Sequence, residues 1–256
     1  MTTRKKPQGV GTRKPPQETV ELIKGLRAFT GQSLALFRAD PPKTTKGASI
    51  TLGAVQWGVY AFFDYDGEPI YVGQTRESLG QRISRHLTNQ RTDAVAMAVL
   101  DPFEVRSVSV WPLPEYQGVK GKGADAEAAK RHLNALERAV FLELVAQSKF
   151  KKMLNEKDPA DAAPCTMPEP IRGDIVSEEV RKVREHPDTR IARRALTLAR
   201  LAQIVSARSI KVGLRRTLVT QADRLAWLAN ARFAALGGEA AVESKDEAED
   251  EDANDQ

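Results

Sequence analysis

The chain has 256 residues, 41% of them hydrophobic, and a formal net charge of +5, which is room for one or two domains. No uninterrupted apolar run is long enough to span a membrane. The single Cys165 excludes an intramolecular disulfide and, with only three histidines, argues against a structural zinc site. The charge is uneven: residues 239–256 carry nine acidic residues against one lysine, a net of −8, so +5 overall leaves +13 on the rest. A basic body of that kind suits a polyanion such as DNA.

In chain order, residues 1–19 place Arg4, Lys5, Lys6, Arg13 and Lys14 among Pro and Gly and read as a disordered basic arm. The arm has no apolar core of a secretory signal, and the plain expectation is a cytoplasmic protein. Gly58-Val59-Tyr60 and Tyr71-Val72-Gly73 then flank an Asp- and Gly-rich turn, predicting a β-hairpin. With a four-residue loop at 64–67, Phe63 opposes Glu68, Tyr60 opposes Tyr71 and Gly58 opposes Gly73. Both phenols then share one face, flanked by glycines that let a ligand approach closely. An ordinary cross-strand aromatic pair gives the same pattern without a function. Ser78 next predicts an N-cap, and Leu79, Ile83 and Leu87 make the apolar stripe of a short helix, with Arg82 and His86 stacked on its flank.

Alternating valines between Phe103 and Trp111 predict a third strand. The loop 118–123 is basic and glycine-rich, and its Lys120 and Lys122 are candidate phosphate contacts. Residues from Ala124 to about Gln147 predict a long helix, whose Leu133, Leu136, Val140, Phe141 and Leu144 form one apolar face. Glu137 falls in the middle of that face and Glu143 on its edge. A carboxylate on a buried stripe is costly unless it is paired or binds a metal, so Glu137 is either a metal ligand or salt-bridged to a neighbour such as Arg82. Residues 158–173, rich in Pro, Asp and Ala, read as a linker. Residues 174–237 are helical and basic, with helix starts at Ser177 and Asp188 and a third helix from Leu214 to Leu236. They suit a DNA-reading module (even a loose helix-turn-helix around 196–219), a dimerisation unit, or helices packed on a core. Residues 238–256 read as a disordered acidic tail that aids solubility.

Taken together, the two triplets, then Arg82 and His86 in the following helix, a third strand, a helical Glu and Asn155 resemble the GIY-YIG nuclease family. The resemblance spans about Trp57 to Asn155 and implies an α+β fold: a nuclease core over 50–157, with a three-stranded antiparallel sheet and flanking helices. The helical region and the two tails lie outside that core. It implies a divalent-metal-dependent DNA endonuclease, most like the family's type II restriction enzymes, with Mg²⁺ or Mn²⁺ as cofactor. Tyr60 would position or deprotonate the attacking water, aided by His86. Neighbouring cations would lower the phenol's pKa. Arg82 would pair with the phosphate, Glu137 would hold the metal, and Tyr71 and Asn155 would orient phosphate and water. Family spacing to Asn155 favours Glu143 over Glu137, so the choice of glutamate stays open. Gln74 stands where many relatives carry Lys or another polar residue. The implied partner is double-stranded DNA, with Arg76, Arg85, Lys120, Lys122, Arg193, Arg194, Arg215 and Arg216 as candidate contacts. A restriction role further implies a homodimer and a cognate DNA methyltransferase encoded nearby. A structure-specific or repair-associated endonuclease, or a non-catalytic DNA-binding protein on the same fold, are the alternatives.

Overall fold

The structure, a computed structural model, describes residues 16–40, 42–44, 46–88, 99–207 and 212–238. Most of the basic arm and the acidic tail lie outside the described residues. At the centre is one antiparallel sheet in the order β2-β1-β3-β4, built from β1 (Gly58–Phe63), β2 (Pro69–Thr75), β3 (Ser107–Pro112) and β4 (Ile171–Asp174). The sheet thus has four strands rather than the three expected. The fourth comes from the end of the stretch read as a linker and pairs with β3, Ser109 facing Arg172.

Six helices accompany the sheet among the described residues: α1 (Gln17–Thr30), α2 (Leu79–Thr88), α3 (Ala124–Gln147), α4 (Glu178–Arg184), α5 (Pro187–Ala207) and α6 (Val212–Ala235). Strand residues alternate between the two faces, and β1 is buried on both. Val59, Ala61 and Phe63 pack with Leu133, Leu136 and Val140 of α3. On the other face, Tyr60 and Phe62 join a cluster that contains Leu22 and Leu26 of α1, Ile83 of α2, Leu201 of α5 and Leu214 of α6. Each fully buried aliphatic side chain stabilises by about 1.5–3 kcal/mol. Helices of residues 174–237 are therefore packed on the sheet, one of the three readings that the sequence left open.

Two expectations about the first half change. The basic arm was read to residue 19, but helix α1 already starts at Gln17. Its Leu22, Leu26 and Phe29 are buried at helical spacing. Its Gly25 lies so close under the chain that an added Cβ would sit 1.9 Å from the Ile175 carbonyl oxygen. The hairpin register also shifts. Asp64 Oδ1 accepts from the Asp66 and Glu68 N–H groups, which closes a longer turn. A bulge between Phe62 and Phe63 then pairs Tyr60 with Gly73 and Phe62 with Tyr71. A two-residue shift keeps side chains on their faces, so the two tyrosines still share one. The α2 expectations hold: Ser78 Oγ accepts from Gln81 N at 3.3 Å, and Leu79, Ile83 and Leu87 are buried.

A buried ion network ties the helical region to the hairpin. Arg190, Arg194 and Arg224 are each 2–3% exposed. Arg194 reaches Glu104 at 2.9 Å and Asp64 at 3.0 Å, and donates to the Arg224 carbonyl. Arg224 bonds Asp64 at 2.5 Å, and Arg190 makes two bonds to Asp66. No helix among the described residues is long and apolar enough to cross a membrane.

Candidate active site

β2 is the edge strand of the sheet, and its residues Tyr71 to Gln74 border a cavity of about 670 Å³. Tyr71 and Gly73 face α2, whereas Val72 and Gln74 face α3, so the cavity takes side chains from both faces around one edge. Tyr71, Arg82, His86, Glu137 and Asn155 all line it. Five of the six residues expected at the site are thus brought together on one cavity.

Tyr60, the sixth, lies beneath it. It is 0% exposed, and its hydroxyl sits 3.2 Å from His86 Nδ1 and accepts from Arg82 Nε at 3.3 Å. Gly73 makes room for the ring: a Cβ there would meet Tyr60 Cζ and the hydroxyl at 2.7 Å and Tyr71 Cε1 at 2.9 Å. His86 also stacks edge-on against Tyr71, with ring centroids 4.5 Å apart. The expected lowering of the Tyr60 pKa is corrected. Burial raises it above the ordinary tyrosine value, outweighing the pull of Arg82, because a phenolate sealed from water loses its solvation. Burial raises Tyr71 as well.

Glu137 is half-buried on the apolar face of α3 and lines the cavity. Its Oε2 accepts from Gln74 Nε2 at 2.8 Å, and the same nitrogen donates to Asn134 Oδ1 at 3.1 Å. Burial pushes its pKa up to about 7, against the opposing effects of the Gln74 hydrogen bond and the Arg82 charge. No ion pair joins it to Arg82 among the described residues. Glu143 is exposed and bonds Gln147, away from the cavity. No group of three or more His, Cys, Asp or Glu positioned to hold a metal occurs among the described residues. One carboxylate on a cavity with room for waters nonetheless fits an Mg²⁺-type ion, which keeps several waters and takes one or two carboxylates plus phosphate oxygens.

Asn155 departs from its expected role. It is 8% exposed; its Oδ1 accepts from Val72 N at 3.1 Å, and its Nδ2 donates to Val72 O at 2.7 Å. With Leu154 N bonding Ile70 O at 2.9 Å, it continues the ladder along the open edge of β2. One donor and one acceptor of its amide are thus engaged by the strand that carries Tyr71 and Gln74. Gln74 is the site residue that the sequence reading treated only as a departure. Its polar side chain inside an apolar, buried strand was the available signal.

The expected DNA contacts separate by burial. Arg76, Lys120, Lys122 and Arg215 are exposed. Arg85 pairs with Glu77 and lines the cavity. Arg216 is held by Asp158, and Arg193 by Glu18 and Asp101 while also lining the cavity. Arg194 is a correction: its guanidinium is buried among Asp64, Glu104 and a carbonyl, with none of it left for a surface ligand.

Comparison with curated proteins and with solved structures gives no match. A family model described as the GIY-YIG catalytic domain matches residues 56–117, the stretch that builds β1, β2, α2 and β3 around Tyr60, Tyr71, Arg82 and His86, and this domain implies nuclease activity.

Proposed function

We propose that this chain is a divalent-metal-dependent DNA endonuclease. The observation that carries the reading is the convergence of Tyr71, Arg82, His86 and Glu137 on one cavity at the β2 edge, inside and just beyond the matched nuclease domain. Arg82 places a fixed positive charge where the phosphate oxygens gain charge as a water attacks. His86, on the cavity lining, takes the proton of that water. Tyr60 acts through these two residues as a positioning group: its hydroxyl contacts both, and its burial keeps it from the substrate. Tyr71 offers its phenol to the phosphate from the cavity wall. Glu137 holds a Mg²⁺ or Mn²⁺ ion, which GIY-YIG nucleases generally use, and which when bound supplies charge stabilisation at the leaving oxygen.

A type II restriction role, with a homodimer and a companion methyltransferase, rests on resemblance alone. A structure-specific or repair-associated endonuclease is the second reading. Plasmid digestion with Mg²⁺ and with EDTA tests the reading. Metal-dependent cleavage is expected, with discrete fragments for restriction or selective nicking of distorted DNA for the second reading. Glu137→Ala is expected to abolish cleavage while leaving DNA binding intact. Cleavage by Glu137→Ala at the wild-type rate with Mg²⁺ would remove Glu137 as the metal ligand.

A further inference from the structure

We propose that the α5 wall of the cavity that Tyr71 and Arg82 also line receives an unpaired nucleotide beside the scissile phosphate, its base against Leu196 and the Arg193 guanidinium stacked on Phe103, and its backbone at Arg200. This deepens the nuclease reading and rests on it. The wall is one face of α5: Arg193, Leu196, Thr197 and Arg200, spaced three, four and seven apart, all border the cavity, as one helical face requires. This helix lies outside the matched family domain, so the wall is an addition of this chain to the site.

The chemistry of the wall selects its occupant. Leu196 is 57% exposed, and the lining of the same cavity includes Val99, Leu100 and Phe103, whose ring carries the Arg184 and Arg193 guanidiniums at 4.7 and 5.0 Å. A lone exposed leucine needs no explanation, but one that shares a cleft with other apolar groups and a ring-stacked guanidinium offers a surface for a flat ring. The neighbouring arginines of α5 are already engaged: Arg190 and Arg194 in the buried network and Arg193 with Glu18 and Asp101. No ion pair among the described residues holds Arg200, which leaves its guanidinium for a phosphate. The cavity, at about 670 Å³, is of the size that encloses a single small-molecule-sized group. A matched duplex keeps its bases stacked inside and presents a convex backbone, so it offers nothing to these apolar groups. An unstacked nucleotide does, at least energetic cost where pairing is already broken.

The test uses the full chain, with a duplex carrying one unpaired 2-aminopurine and its fully matched twin. Binding is followed by fluorescence in EDTA, and cleavage by gel in Mg²⁺. The unpaired duplex is expected to bind and be cut at least about tenfold better, and Arg200→Ala and Leu196→Ser each to lower that preference about fivefold or more, the scale of one lost base contact. Both residues are exposed, and an unchanged melting temperature checks that the variants fold. Equal binding of the two duplexes, or a preference that neither variant moves, overturns the subsite. If the preference and its loss in the variants appear in EDTA but neither duplex is cut in Mg²⁺, the subsite stands and the nuclease reading falls. If both duplexes are cut equally, the nuclease reading stands and the subsite falls.

Discussion

Glu137 is held by opposing effects, of which burial is the largest. Burial raises its pKa from 4.5 to about 7, and the Gln74 hydrogen bond works against that rise. Removing the donor removes support for the charged form only. Gln74→Ala is therefore expected to move the acidic limb of the pH–rate profile upward by about one pH unit, the size of a lost charge-assisted hydrogen bond. An unmoved limb would show that another group sets it. The same burial makes a stability statement. The folded chain keeps this proton up to about pH 7, whereas the unfolded chain releases it near 4.5. Between these values the folded state binds more protons, so stability falls as pH rises, and the penalty is full above pH 7. Glu137→Gln is expected to raise Tm by a few degrees above pH 7, where about 1 kcal/mol moves a chain of this size by 2–4 °C, and to leave it unchanged below pH 4.5. Thermal melts at the two pH values check this. Gain of stability with loss of cleavage is the usual signature of a charge kept for function.

At the scale of elements, the hairpin and α2 form the platform and residues 154–155 fix its open edge. Buried edge groups need partners, and the Asn155 amide supplies a donor and an acceptor as a neighbouring strand would. The tightest fit is Tyr60 over Gly73. Gly73→Ala drives a methyl group to 2.7 Å from the phenol, so it is expected to cost about 1–3 kcal/mol by overpacking and to slow cleavage at least tenfold by displacing Tyr60 from Arg82 and His86. Urea unfolding read beside the rate separates the two effects. Much of this scale was legible. The Ala-, Glu-, Leu- and Lys-rich composition of α3 predicted a helix from Ala124 to about Gln147, and the alternation in 103–111 predicted β3. The hairpin register was not legible, because a side-chain-closed turn at Asp64 and a bulge both act below the resolution of a loop-length rule. Nor was β4 legible: four residues at a sheet edge carry too short a pattern to stand out from a proline-rich stretch.

Across the whole molecule, the helical region and the hairpin share buried charges. Asp64 and Glu104 meet three arginines from α5 and α6. Removing one side of a buried ion pair costs about 3–5 kcal/mol, because it leaves the other charge uncompensated. A fragment ending at residue 157 loses all three arginines, together with β4, Leu201 and Leu214 from the core. It is expected not to fold by itself, as read by circular dichroism and soluble yield. A cooperatively folded fragment would show that the helices are dispensable. The same packing sets the substrate wall, since it turns one face of α5 into the cavity.

By itself the sequence determined the local patterns: the two triplets with their tyrosines on one face, the α2 stripe carrying Arg82 and His86, the long helix with Glu137, and the uneven charge. These depend on spacing along the chain, which periodicity reports directly. Tertiary structure alone decided which groups meet. It sealed Tyr60 and tied Asn155 to a backbone edge. It drew Arg194 inward to Asp64, 130 positions away in the chain, and set one face of α5 on the cavity that Tyr71 lines. Such pairings depend on burial and on partners distant in sequence, and a side chain's own neighbours carry no record of either.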